Sequence, residues 1–299
     1  MLRLFVRRLS TRQLVYSEYG DPAKVIRLVE SSLPDTVPAG HIRVRWMAAP
    51  LNPADINQIQ GVYPVKPSLP AVGGNEGYAK VQSVGEGVGG FRPGDHVIPA
   101  RSGLGTWREF ADHQPNELYR INNELPVAVS ATLQVNPSTA YRMLKDFVEL
   151  KRGDVVVQNA GNSAVGRYVI QMCRILGFQC VSIVRNRPNI DELKKELTSL
   201  GSTSVFTEEE FASKENRGKI PTASFIFTNI VLRGFWMSRW YEEEHTPEAR
   251  EQMYADISKW TIGGELTTPP MDTIPLSQYN KALERAAEFD RKLLFATDK

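Results

Sequence analysis

From about residue 13 to 125, short runs of alternating apolar and polar positions are broken by Gly and Pro. "HIRVRWMAAPLNP" alternates and then runs apolar, "EGYAKVQSVGEGV" alternates around its glycines, and "FRPGDHVIPA" reads as a turn leading into a strand. Short alternating runs bounded by Gly and Pro predict a compact β-rich domain, barrel or sandwich, from about residue 13 to 125. The period then changes. Asn136 and Pro137 mark a helix start with proline at its first position. A strand over 154–159, a helix over 164–176 closed by Gly177, a strand over 180–184, a helix over 189–200 closed by Gly201 and a strand over 203–206 follow. This βαβαβ alternation predicts a parallel sheet of Rossmann type, so the fold class is α/β with a β-rich first domain. No internal repeat or low-complexity tract interrupts it.

Two stretches carry candidate chemistry. "GVYPVKPSLPAVGGNEG", residues 61–77, is too rich in Pro and Gly for a helix or central strand and reads as a loop. Its single tyrosine, Tyr63, is either a loop side chain packed on its surroundings or a functional phenol. "DVVVQNAGNSAVGRY" places a strand, a tight turn and a helix start in sequence, the arrangement that presents free N–H groups to a pyrophosphate. Gly161, Ser163 and Gly166 fit a dinucleotide fingerprint with its middle glycine replaced by a small residue. A phosphate-binding P-loop would need Lys and Ser/Thr where Arg167 and Tyr168 stand, and a nucleophile elbow fails at Val165. The following strand ends in "IVRNRPN", with Arg185 and Arg187 and no acid before Asp191. An NAD reader carries an acid there for the ribose, whereas an NADP reader needs cations for the 2′-phosphate, so the position favours NADP.

The totals narrow the class. With 299 residues, 41% apolar and 23% charged, the chain has the composition of a globular enzyme of two domains. No apolar run approaches the roughly 18 residues of a membrane span. Net charge is +2, but residues 1–17 hold Arg3, Arg7, Arg8 and Arg12 and no acid. Setting those four aside leaves 32 basic against 34 acidic side chains, which argues against a nucleic-acid partner. The Arg-rich, acid-free start with Ser10 and Thr11 has the composition of a mitochondrial import segment, taken as residues 1–12. Cys173 and Cys180 make neither a disulfide framework nor a zinc site, and His41, His96, His113 and His245 are scattered, so no metal is expected.

A β-rich first domain followed by this nucleotide unit resembles the medium-chain dehydrogenase/reductase superfamily. Within it the chain is similar to the mitochondrial trans-2-enoyl-thioester reductases, through "LNPADINQIQGVYP", "PAVGGNEG", "GDHVIPA", "QVNPSTAYRML", "QNAGNSAVG", "VRNRP", "ELTSLGSTSVFTEEE" and "LRGFWMSRW". "GGNEG" stands where zinc-dependent relatives place a cysteine and a histidine, which points to the metal-free branch. The resemblance implies a GroES-like catalytic domain over 13–130, an NADP-binding domain over 131–262 and a segment over 263–299 returning to the first. It implies NADPH-dependent reduction of an enoyl thioester carried by acyl carrier protein or CoA, in the mitochondrial matrix, by a homodimer. Tyr63 matches the family's proton donor. Asn136 matches an asparagine near the nicotinamide, with a helix N-cap as its plain alternative. Asn162, Ser163, Ala164 and Val165 match the pyrophosphate turn, and Arg185, Asn186 and Arg187 match the 2′-phosphate loop. Phe235, Trp236, Met237 and Ser238 match a strand end beside the nicotinamide and acyl pocket, with core packing as the alternative. Lys292 matches a C-terminal lysine near the cofactor.

One departure stands out. A doubly wound domain has six strands with the fourth beside the first. Here three strands precede residue 207, and "IVLRGF" matches the family's sixth. About forty residues, enough for two strands and their helix, are missing near 210–228, along with the family's glycine-rich loop against the cofactor. The strand over 154–159 would then lose a neighbour and expose an apolar edge, unless "ASFIF", residues 223–227, replaces it. A shortened form that binds without reducing anything, and an NADPH-dependent quinone or enone reductase, are the competing readings.

Overall fold

A computed structural model describes residues 9–215, 233–243, 247–286 and 291–297. Those up to Val135, at 241–243 and from Pro270 on form one compact unit; the rest, between Asn136 and Pro269, form a second.

The first unit is built on β3 (Ile42–Leu51), the long alternating run. It pairs antiparallel with β5 (Tyr78–Val84), β7 (Phe110–His113) and β13 (Lys292–Ala296). The sheet continues through β6 (His96–Pro99) to β8 (Leu118–Arg120), and on the other side through β13 to the parallel β12 (Met271–Pro275). The residues after Pro270 therefore complete the first unit's sheet. A smaller antiparallel sheet joins β1 (Ser10–Tyr16), β2 (Ile26–Ser32) and β4 (Ala71–Val72). The ladder between β3 and β5 slips at Arg43/Val44 and Trp46/Ala48. Such irregularities bend a strand, and β3 serves two cores: Ile42, Val44 and Trp46 pack with Ala79, Val81 and Val97, while Ala49 and Leu51 pack with Leu14, Trp107 and Phe295.

The strand β1 includes residues 10–12, the end of the expected import segment. Thr11 is 3% exposed and exchanges hydrogen bonds with the Phe110 backbone. The Arg12 guanidinium pairs with Glu109 at 2.6 Å, and its amide donates to the same carboxylate. Residues 10–12 are part of the folded body; residues 1–8 lie outside the described residues.

In the second unit the alternating pattern gives α2 (Asn136–Lys145), β9 (Val155–Gln158), α3 (Ala164–Leu176), β10 (Gln179–Val184), α4 (Ile190–Leu200) and β11 (Ser204–Thr207). The helix α1 of the first unit (Pro53–Ile59) precedes them. Gly177 and Gly201 end α3 and α4 in the left-handed conformation, as the spacing predicts. The strands are parallel in the order β11-β10-β9. The segment "IVLRGFWMS" departs from expectation. Residues 230–232, like 223–227, lie outside the described residues, Arg233–Trp236 are not in a strand, and Met237 opens the helix α5 (Met237–Glu242). Helical spacing buries Met237 and Trp240, and the Trp240 ring lies 4.2 Å from the Arg142 guanidinium on α2. Helix α6 (Pro247–Ile262) packs on α2 through Tyr141, whose hydroxyl donates to Asp256 at 2.6 Å.

Among the described residues β9 has one ladder partner, β10, and Val155 and Val157 are each 54% exposed. A first strand of a complete doubly wound sheet is central and covered on both faces. Replacing both valines by Thr should therefore change unfolding free energy by less than about 1 kcal/mol. Met172→Ala, in the buried face of α3, should cost about 2–5 kcal/mol. Urea titration checks both, and a loss above about 2 kcal/mol in the valine variant would mean that this face is covered.

Candidate functional site

The loop carrying Tyr63 grows directly out of α1. Pro53 opens the helix, and Asp55 caps it by accepting the Asn52 amide at 2.7 Å. At the other end, the amides of Val62 and Tyr63 both donate to the Asn57 carbonyl, at 3.0 and 3.2 Å. The phenol is half-buried. Further along, the Tyr19 hydroxyl donates to the Pro67 carbonyl at 3.3 Å.

Behind the loop lies a buried polar network that the motifs do not announce. Asp55 and Glu76 are both 0% exposed. Asp55 Oδ1 accepts from the Asn75 amide (2.9 Å) and from Asn75 Nδ2 (2.7 Å). Glu76 accepts from Asn52 Nδ2 at 3.0 Å and from the Val135 amide at 2.7 Å. Lys292, the first residue of β13, donates to Asn52 Oδ1. Its ammonium is the cation facing both carboxylates. Burial pushes the Asp55 carboxyl above the usual range and Glu76 up to about 7, against the pull of Lys292. Burial lowers Lys292, and the two acids oppose that. Lys292, expected near a cofactor, is thus engaged within the first unit. Asp55 and Glu76 were not singled out from the sequence; the usable signal was an Asp at the capping position after "NP" and an acid inside "AVGGNEGYA", where Asn75 is the other strongly polar side chain.

The glycine turn is tight for identifiable reasons. A Cβ on Gly161 would lie 2.6 Å from Ser182 Cβ, and one on Gly166 would lie 2.7 Å from the carbonyls of Ala160 and Gly161. Ser163 caps α3 by accepting the Gly166 amide at 3.1 Å, so its hydroxyl does a cap's work and not a nucleophile's. Arg167 turns to Glu196, at 2.5 and 3.1 Å, and Tyr168 is buried. Neither serves as a P-loop residue. Asn162, Ser163, Ala164 and Val165 remain at least partly exposed at the positive end of a 13-residue helix. Beyond β10, Arg185 and Asn186 are exposed and Arg187 half-buried, with the Arg187 amide donating to Asn186 Oδ1 at 2.9 Å. Asn136 opens α2 at 7% exposure, and its Nδ2 has no hydrogen-bond partner. Phe235 packs edge-on against Phe147 at 5.6 Å, Met237 is buried, and Trp236 and Ser238 are half-buried. No group of three or more His, Cys, Asp or Glu side chains able to hold a metal occurs among the described residues.

Residues 38–123 match the alcohol dehydrogenase GroES-like domain. The mitochondrial enoyl-[acyl-carrier-protein] reductase of Caenorhabditis elegans is 47% identical, over 98% of this chain and 96% of the relative. The chain belongs to the mitochondrial enoyl-[acyl-carrier-protein] reductase family. The human member is 41% identical over 91% of this chain and 84% of its own length. Of solved structures, the complex of Etr1p with NADP and crotonyl-CoA superposes with a TM-score of 0.87 at 27% identity, covering 96% of this chain and 100% of that one. A putative NADPH:quinone reductase from Bacillus thuringiensis shares the fold, with a TM-score of 0.81 at 20% identity, over 97% of this chain and 100% of that one. The alignment with the C. elegans reductase runs over 332 positions and this chain has 299 residues. At least 33 of those positions therefore have no counterpart in this chain.

Glu76 gives the site a pH signature. Its folded-state pKa, about 7, lies above the ordinary 4.5. The folded state therefore holds a proton that the unfolded state has released, and stability falls as pH rises from 4.5 to 7 and levels off above. Relative to Glu76→Gln, the wild-type chain should lose roughly 3 kcal/mol across that window in urea titrations at pH 4.5, 5.5 and 7.5. A constant difference between the two proteins would show that Glu76 does not titrate there.

Proposed function

We propose that this chain reduces trans-2-enoyl thioesters with NADPH in the mitochondrial matrix, the substrate being carried by acyl carrier protein or CoA. The observation that carries this reading is 47% identity to a mitochondrial enoyl-[acyl-carrier-protein] reductase along nearly the whole chain. The solved Etr1p complex with NADP and crotonyl-CoA supports the cofactor and the thioester class. The import segment ends before Ser10, because β1 needs the residues from there on. The first unit is the catalytic domain and the second the NADP-binding domain. A second copy of this chain is the expected partner, as Etr1p pairs with Etr2p.

The residues present fit the cofactor. Asn162 to Val165, at the start of α3, would hold the pyrophosphate through backbone N–H groups. Arg185, Asn186 and Arg187 would take the 2′-phosphate. The orphaned amide of Asn136 offers a buried hydrogen bond suited to a nicotinamide carboxamide. Phe235 to Ser238 would border the acyl and nicotinamide end, and Lys292 would act from behind through its network. When bound, NADPH supplies the hydride that goes to the β-carbon of the enoyl thioester. Tyr63 hydrogen-bonds the developing enolate oxygen and delivers a proton toward the α-carbon.

A second reading, binding without turnover, is favoured by one pair of observations: the unmatched alignment positions and the exposed valines of β9. Titrating the purified chain with NADPH, followed by nicotinamide fluorescence and thermal unfolding, separates the two once turnover of crotonyl-CoA is assayed alongside. Saturable binding, a raised Tm and turnover support the reductase; binding without turnover supports the second reading. Tyr63→Phe should lower kcat about a hundredfold or more with NADPH affinity unchanged, and full turnover in that variant would remove Tyr63 from the mechanism. Converting Arg185 and Arg187 together to Ala should weaken NADPH by roughly tenfold or more per arginine and leave NADH nearly unaffected. Equal losses for the two cofactors would exclude 2′-phosphate recognition by these arginines.

A further inference from the structure

Gln58 and Asn75 face each other as a closed amide pair. Asn75 Nδ2 donates to Gln58 Oε1 at 3.1 Å, and Gln58 Nε2 donates to Asn75 Oδ1 at 3.3 Å. Each amide nitrogen then has one hydrogen left. Asn75 places its own on Asp55 Oδ1 at 2.7 Å, and Gln58 places its own on the Val65 carbonyl at 3.1 Å, two residues past Tyr63. Gln58, Asn75 and Asp55 are all buried.

The direction of this relay is not free. Both Asp55 oxygens face backbone N–H donors and act as acceptors, so Asn75 turns its nitrogen toward Oδ1. Turning Asn75 over would set its oxygen against Asp55 Oδ1. Gln58 must match, because turning it over would set its oxygen against both Asn75 Oδ1 and the Val65 carbonyl. Asp55 is itself fixed, with Oδ2 on the Asn52 amide and Oδ1 on the Asn75 amide. One carboxylate therefore dictates, through two amides, which group is presented to the loop.

That bond matters because of where it lands. Before Tyr63 the loop is tied to α1 by the Val62 and Tyr63 amides on the Asn57 carbonyl. Residues 62–70 form no regular secondary structure. The Gln58 side chain ties the stretch after Tyr63 back to the same helix, so the tyrosine sits between two attachments to α1. We propose that Gln58, oriented by Asp55 through Asn75, is a positioning residue that holds Tyr63 for proton delivery. The proposal rests on the reading of Tyr63 as the proton donor.

The test uses the full chain with Gln58→Met, which keeps the length of the side chain, and Gln58→Leu, which likewise has no hydrogen for Val65. Both should lower kcat for crotonyl-CoA about tenfold or more, with the thioester KM and NADPH affinity within about twofold. In a Tyr63→Phe background neither should lower kcat further, since the group being positioned is gone. Amide hydrogen exchange over residues 61–67 should quicken about tenfold in both variants, while exchange in β5 and β6 stays as it was. The exchange measurement needs no turnover. Equal losses of kcat with and without the Tyr63 phenol would overturn the proposal, as would unchanged exchange over 61–67. Full turnover by Tyr63→Phe alone would overturn the proton-donor reading, and loop exchange then decides the role of Gln58 by itself.

Discussion

Two buried carboxylates and one ammonium set the terms on which the first unit folds. Removing Asp55 and Glu76 from water is costly, and the cost is offset only where each oxygen finds a donor and a cation stands near. The molecule meets this with backbone amides at 52, 75 and 135, the side chains of Asn52 and Asn75, and Lys292. The participants come from five stretches of chain: the end of β3, the start of α1, the "GGNEG" turn, the residue before α2 and the start of β13. The network therefore adds polar ties among β3, α1 and β13, which also share the cluster of Leu51, Ile59 and Phe295, and extends them to the "GGNEG" turn and Val135. It also gives α1 a rigid base from which the Tyr63 loop projects.

The second unit obeys a different constraint. Its turn depends on backbone closeness: Gly161 against Ser182 and Gly166 against the carbonyls of 160 and 161 leave no room for a Cβ. Ser163 then satisfies one of the amides that the first turn of α3 leaves without a helical partner. Polar saturation organises one unit and steric closeness the other. Each leaves a small set of groups unpaid by internal bonds, such as the Asn136 amide, and these are the groups a ligand can satisfy.

Much of this was legible in the chain. The period-two runs, the Pro at the head of α2 and the glycines after α3 and α4 act through local sterics, which sequence records directly. The loop of Tyr63 announced itself by its prolines. The polar network did not, because a buried Asp and a surface Asp are the same letter, and Glu76 and Lys292 are brought together by pairing of β13 with β3. That residues 10–12 join a strand was hidden for a related reason: an arginine beside Glu109 in space has the same composition as one in an import segment. The stretch at 235–238 was matched to a strand end through the resemblance alone, whereas the spacing of Met237 and Trp240 and the guanidinium of Arg142 select a helix from Met237 on.

Lys292 follows its partner Asn52 by 240 positions along the chain. Delivered N-terminus first, the strands that surround Asp55 and Glu76 enter the folding compartment well before the lysine that faces both acids. Until then the two acids have no cation, and β3 lacks the neighbour that β13 provides. The first unit consequently reaches its final form only after the whole second unit has been delivered. Its maturation is tied to completion of the chain rather than to the order in which its residues appear.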